Sequence, residues 1–299
     1  MGYDLSVGSN SLRAETIDEM VKQTAARSYK FKQAVAVNPT SAWTETFYRE
    51  NQTVLTGQTG NAITEIPVGA NFPQASVAFE KVQARITKFG LEENIPWESV
   101  LSSQINVMAR TTIRVTEGVV KAVDDFIWNG LTQNLYTDSN LVIQSFAIDY
   151  SIGRGSWDQT SAAIVDDLQN AARKIANYNY DTSDLICFVN PYNKQNIMKW
   201  LYDKGNQWNS LSTDLVQNGR LGKIAGITLV ESQSVAASYA LVVKPKTCAT
   251  YNELVSIRST TVDDPYKSTK IRVVEEGSLE LTDPKAICLI FNTQNQTAA

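Results

Sequence analysis

The sequence predicts an α+β fold built around one long helix, and three observations carry that prediction. Residues 97–130, WESVLSSQINVMARTTIRVTEGVVKAVDDFIWNG, contain no proline and one internal glycine, Gly118. Residues 80–89, EKVQARITKF, alternate apolar and polar side chains, the period-two pattern of a half-buried strand. Beyond residue 131, apolar strand-like runs alternate with amphipathic helical ones before the chain ends in strand-rich sequence.

Composition narrows the function. The chain has 299 residues, of which 43% are hydrophobic and 19% charged, enough for two domains or one elaborated domain. Lysine plus arginine is 27 against 31 acidic residues, a net charge of -4. Tight binding to phosphates needs clustered basic side chains, so any contact with DNA is expected to be neither tight nor stoichiometric. Histidine is absent, which removes the commonest general base and metal ligand. Cys187 in LICFV and Cys288 in AICLI read as small buried hydrophobes, and with Cys248 they show neither metal-site spacing nor a disulfide framework. No apolar run approaches the ~18 residues of a membrane-spanning helix. The N-terminus, MGYDLSVGSNSLRAET, has no signal-peptide apolar region. The expected compartment is the cytoplasm.

Residues 1–48 form an arm. Thr16 and Glu19 fit a capping box, followed by Ile17, Met20, Val21 and Thr24 on one face of a short helix to about Arg27. The rest of the arm reads as extended and has too little apolar area to fold alone. Residues 49–95 are expected to be an extended β-hairpin loop, rich in Gly, Thr and Asn at its tip. Its outgoing strand places Val82, Ala84 and Ile86 on one side and Lys81, Gln83, Arg85 and Thr87 on the other.

Residues 96–131 are the spine helix. Trp97, Leu101, Ile105, Met108, Val115, Val119, Val123 and Phe126 fall in one stripe at spacings of three and four. Its back carries Arg110, Arg114, Glu117, Lys121 and Asp124, with Glu117–Lys121 as an i,i+4 pair and Gly130 in the position of a C-terminal cap. At 1.5 Å per residue the rod is roughly 50 Å long. Ile113, Val120 and Ile127 recur every seven residues beside the main stripe. Either another subunit or a wide core face within the chain covers them.

Residues 132–246 read as a compact α/β domain. A strand lies within LVIQSFAIDY, a helix runs from about Ala162 to Asn177, and LICFVN is a short strand. Asn190-Pro191 opens a second helix, and strands follow at GITLVES and YALVVKP. Residues 247–299 are return strands, YNELVSIRST, TKIRVVEEGSLEL and AICLIFN, separated by turns at DDP and TDP. They are expected to pair with each other and with the base of the hairpin, and to pack beneath the long helix.

No catalytic site, cofactor site or metal site emerges. Gly153-Arg154-Gly155 lacks the rest of a dinucleotide fingerprint, and Lys223 is not followed by the Ser or Thr of a phosphate loop. Gly219 and Gly222 read as turn residues before GITLVES. The adjacent acids at 124–125, 166–167, 263–264 and 275–276 read as solvated or turn pairs.

In element order the chain resembles a tailed-phage major capsid protein of the Hong Kong 97 fold. Three stretches carry the likeness: residues 77–130 from the outgoing strand through the spine, FVNPYNKQNIMKWLYDKGN, and KIRVVEEGSLELTDPKAICLIF. The resemblance covers nearly the whole chain. It implies a shell protein assembling into pentamers and hexamers of an icosahedral head around double-stranded DNA, present in the virion and assembled in the host cytoplasm. It also implies that the loop lies over an adjacent subunit and the arm clasps another. Scaffolding, portal or decoration proteins are possible partners. No membrane, cofactor or enzymatic activity is implied. Some members crosslink a loop lysine to an asparagine; Lys81 and Lys88 are available, but nothing selects an asparagine partner. A cellular nanocompartment shell of the same fold, enclosing protein cargo, is the alternative. With the exposed charge pattern, the resemblance nominates Lys81, Arg85, Lys88, Arg110, Arg114, Ile113, Val120 and Ile127 as interface residues.

Overall fold

The computed structural model describes residues 8–51, 66–69, 78–102, 107–132, 143–148, 155–203, 222–264 and 267–294. It opens with helix α1 (Gly8–Ser28). Thr16 therefore lies inside a helix rather than at its cap. Val21 and Ala25 are buried, and α1 packs on the spine helix and a return strand. A capping box contributes only about 1 kcal/mol, too little to fix by itself where a helix begins.

Strand β1 (Ala36–Pro39) follows, then β2 (Thr44–Asn51), which pairs antiparallel with β3 (Ala78–Arg85) from Thr44↔Arg85 to Asn51↔Ala78. The expected hairpin is thus present at its base, while the tip, 52–65 and 70–77, lies outside the described residues. Ala84 and Ile86 are buried and Lys81, Gln83, Arg85 and Thr87 exposed, as alternation requires. At Ile86 the chain changes partner. Its N–H donates to the Trp43 carbonyl at 3.3 Å, and β4 (Thr87–Pro96) departs to another sheet.

The expected rod is described in two stretches, α2 (Trp97–Ser102) and α3 (Val107–Thr132); residues 103–106 are not among those described. Met108, Val115, Val119 and Val123 are buried on the stripe, and Phe126 meets Phe89 with ring centroids 5.2 Å apart. Gly130 is not a cap, since the helix continues to Thr132. A Cβ there would stand 2.3 Å from Leu279 Cδ2, so its role is close packing of helix on strand.

Under α3 lies a four-stranded sheet ordered β1-β10-β11-β4, where β10 is Thr250–Asp264 and β11 is Ser268–Glu280. β1 joins β10 in parallel; the other neighbours are antiparallel. A second sheet has six strands ordered β5-β12-β9-β6-β8-β7. Its members are β5 (Gln144–Ala147), β6 (Ile186–Val189), β7 (Lys223–Ile224), β8 (Ile227–Glu231), β9 (Tyr239–Val243) and β12 (Ile287–Phe291). Helices α4 (Ile164–Ala176) and α5 (Pro191–Asp203) complete this layer.

The last strand corrects an expectation. β12 does not pair with β10 or β11; it runs between β5 and β9. Ile287–Ile290 are fully buried, and a strand apolar on both faces belongs in a covered sheet centre. Two local signals hold. Asn190 Oδ1 accepts the Tyr192 N–H at 3.0 Å with Pro191 as the first helical residue. Cys187 and Cys288 both register with Val242 on the intervening β9 and are buried free thiols. The tight turn before β8 uses Ala225 and Gly226, at φ 52° and 83°, instead of Gly222. Both central residues of this two-residue hairpin are left-handed, as a type I′ turn requires.

Candidate assembly surfaces

The arm is latched to its own chain. Asp124 of α3 accepts backbone N–H groups from Lys30 (2.8 Å), Phe31 (3.2 Å) and Lys32 (3.4 Å). The spine's back face was expected to leave Asp124 in solvent; instead the arm folds over it and it is 4% exposed. Burial pushes its carboxyl up to about 6, against the three amide donors, which favour the charged form. Beside it, Lys32 Nζ bridges Glu253 and Glu275 at 2.7 Å each. Tyr29 and Tyr251 donate their hydroxyls to Glu275, and burial, together with that carboxylate, raises both phenols. Glu275 and Glu276 are thus buried acids rather than a solvated pair. Asp18 of α1 accepts the Ser259 N–H at 2.8 Å, covering part of the outer edge of β10. Helix and latch together dock the first part of the arm on its own chain through Asp18, Lys32 and the backbone of Lys30–Lys32.

The nominated interface residues fall into four places. Lys81 and Arg85 project from the exposed face of the β2–β3 ribbon, with no ion-pair partner among the described residues. Trp43 (67% exposed) and Tyr48 (64%) add large apolar area at the ribbon. Lys88 is on the outer face of the four-stranded sheet, paired with Glu276 at 3.2 Å. Arg110, Ile113 and Arg114 line the flank of α3 that faces β4. Arg114 pairs with Glu117 at 2.9 Å, so the expected Glu117–Lys121 pair is replaced by one a turn earlier. Val120 and Ile127 are 3% and 0% exposed and belong to the chain's own core, whereas Ile113 is 36% exposed. The second side of the spine is therefore covered from within at Val120 and Ile127, and only Ile113 of the three remains available to a neighbour.

Two open grooves flank the spine. One, of about 880 Å³, separates α3 from the end of β8 and includes Lys30, Lys121, Lys194 and Glu231. The other, of about 790 Å³, runs between α3 and β4 and includes Leu91, Glu93 and Ile113. Neither has the arrangement of a reaction centre. Among the described residues no three His, Cys, Asp or Glu side chains are grouped to hold a metal. Burial pushes the Cys248 and Cys288 thiols up to about 12 and raises Cys187 as well, so all three stay protonated and unreactive. Among the described residues no helix is long and apolar enough to cross a membrane.

Sequence reasoning missed the latch. Its signal was present in Tyr29-Lys30-Phe31-Lys32 and in Asp124, but sequence spacing does not show that a turn will close over a helix 94 residues away.

Comparison with known proteins agrees with this architecture. Residues 79–290 match the family model described as phage capsid protein. None of the curated proteins matches. Among solved structures, the virus-like particle from Pyrococcus furiosus superposes with a TM-score of 0.63 at 11% identity, covering 93% of this chain and 99% of that one. The capsid of cyanophage P-SCSP1u gives 0.61 at 13% identity, covering 88% of each chain. A Mycobacterium phage Che8 chain gives 0.61 at 14%, covering 89% of this chain and 92% of that one. At such identities the likeness is one of fold.

Proposed function

Since the chain belongs to the phage capsid protein family, we propose that it is the major shell subunit of an icosahedral head that encloses double-stranded DNA. The family match carries this reading, because it runs from the hairpin's outgoing strand to the last strand and spans spine, both sheets and the α/β layer. The architecture supports it. A spine helix backed by a four-stranded sheet is a stiff beam, and the β2–β3 ribbon carries exposed Lys81, Arg85, Trp43 and Tyr48 on or beside it. In this reading pentamers and hexamers form around the α/β layer, the hairpin overlies an adjacent subunit, and Lys81 and Arg85 meet acidic side chains there. DNA is held by enclosure, which suits a net charge of -4. Assembly takes place in the host cytoplasm, with scaffolding, portal or decoration proteins as further partners. The role is structural, not catalytic.

A nanocompartment shell is the second reading, favoured by the fold likeness to the Pyrococcus virus-like particle over 99% of that chain. Purified recombinant protein viewed by negative-stain microscopy tests both. Closed particles or capsomers support a shell, and a stable monomer at high concentration refutes it. Nuclease-protected DNA inside particles recovered from the native source identifies a virion; a packaged protein in its place identifies a compartment.

A further inference from the structure

We propose that the free edge of β4, with the Leu91–Ile113 groove beside it, is a two-fold contact between copies of this chain, in which β4 pairs antiparallel with its own copy. The inference rests on the shell reading and adds to it a specific surface and a specific occupant.

The main chain of β4 is available for this. The Trp97 N–H donates to the Lys267 carbonyl at 3.1 Å, which sets the alternation of the β4–β11 ladder. Odd-numbered residues of β4 turn their backbone groups toward β11. Lys88, Gly90, Glu92 and Asn94 turn theirs to the outer edge. Among the described residues no strand pairs on that edge. β4 runs ten residues with no register shift against β11, so no bulge twists the edge away. The charges that ordinarily guard such an edge are engaged within the sheet: Lys88 with Glu276 at 3.2 Å, and Arg272 with Glu92 at 2.5 Å.

The side chains beside the edge fit a self-contact. Leu91 is 46% exposed and Ile113 36%, and both line the groove between β4 and α3. At the end of the groove Gly118 lets α3 pack closely on Leu91, for a Cβ there would stand 3.2 Å from Leu91 Cδ2. The rim carries both signs, Arg110 and Arg114 with Glu93 and Glu117. A surface holding an apolar centre and balanced charges is complementary to itself, which is what a two-fold interface requires. With the axis at Leu91, Gly90 exchanges hydrogen bonds with Glu92 of the second copy. Leu91 then faces its own copy in a non-hydrogen-bonded pair, where Cα atoms approach to about 4.5 Å.

That spacing permits a disulfide, which makes the contact testable. The native cysteines are buried, so Leu91→Cys introduces the one surface thiol of the described residues. Mild oxidation of assembled Leu91→Cys particles is expected to link most subunits into dimers, while Val262→Cys, exposed elsewhere on the sheet, gives none. Leu91→Arg is expected to weaken particle assembly at least tenfold with an unchanged subunit melting temperature. Particles that form normally but do not crosslink at residue 91 overturn the inference and leave the shell reading intact. So does crosslinking of Leu91→Cys to Tyr48→Cys of a neighbour in a mixed assembly in preference to its own copy, since that gives the groove to the hairpin. Failure of the unmodified chain to assemble at all removes the shell reading, and this contact with it.

Discussion

The carboxylate of Asp124 accepts the Lys30 backbone N–H at 2.8 Å, joining the spine to the arm at a site 4% exposed to solvent. Its carboxyl is pushed up to about 6 from an ordinary 3.8. Between those values the folded state holds a proton that the unfolded state has lost. Stability from this group therefore rises as pH falls from 7 toward 4, by about 2 kcal/mol, and levels off below about pH 3, where both states are protonated. Denaturant midpoints of the unassembled subunit across pH 4–8 are expected to show this slope in the wild type and to lose it in Asp124→Asn.

Lys32 neutralises Glu275, which has no exposure to solvent, and also reaches Glu253. Lys32→Met leaves a buried carboxylate without its cation and is expected to cost about 3 kcal/mol. Adding Glu275→Gln to the same chain removes the stranded charge and is expected to restore most of the loss. Thermal melts of the two variants check it.

Two glycines near the spine predict opposite outcomes. A Cβ at Gly277 would lie 2.4 Å from the Tyr251 ring and 2.9 Å from the Asn252 carbonyl oxygen, and Tyr251 is fully buried. Gly277→Ala is expected to cost about 2–3 kcal/mol, because neither backbone nor ring can withdraw. At Gly130 the obstacle is the end of the half-buried Leu279 side chain. There the strain is offset by the roughly 1 kcal/mol that alanine gains over glycine in a helix, so Gly130→Ala is expected to be near neutral. Chemical denaturation separates the two.

The ladder from Thr44↔Arg85 to Asn51↔Ala78 pairs the base of the hairpin over eight residues of each strand. Replacing residues 53–76 by a short turn is expected to leave circular dichroism and melting temperature nearly unchanged while abolishing particles under the microscope. Loss of folding in the truncated monomer would show that the tip belongs to the core.

Much of the fold was legible because periodicity reports burial directly. The stripe Met108, Val115, Val119 and Val123, the alternation through Lys81–Thr87, and the Asn190-Pro191 helix start are all local patterns, and the Hong Kong 97-type fold followed from their order. Signals of equal local strength misled where packing outweighed them. Thr16 has the look of a cap yet lies within α1. Gly130 has the look of a stop yet serves contact with Leu279. Of the proposed surface residues, the sequence could nominate Ile113, Val120 and Ile127 by spacing but could not tell which of the three the chain itself covers.

The sequence by itself determined the element order, the spine's buried stripe and the absence of histidine chemistry, since each is a property of neighbouring residues. Only the tertiary structure decided that β12 enters the six-stranded sheet, that Asp124 and Glu275 are buried anchors for the arm, and that no described strand pairs on the outer edge of β4. These depend on which segments meet across the chain. Hydrogen bonds and desolvation act over a few ångströms in space, and the distance in sequence between Lys30 and Asp124 carries no record of that approach.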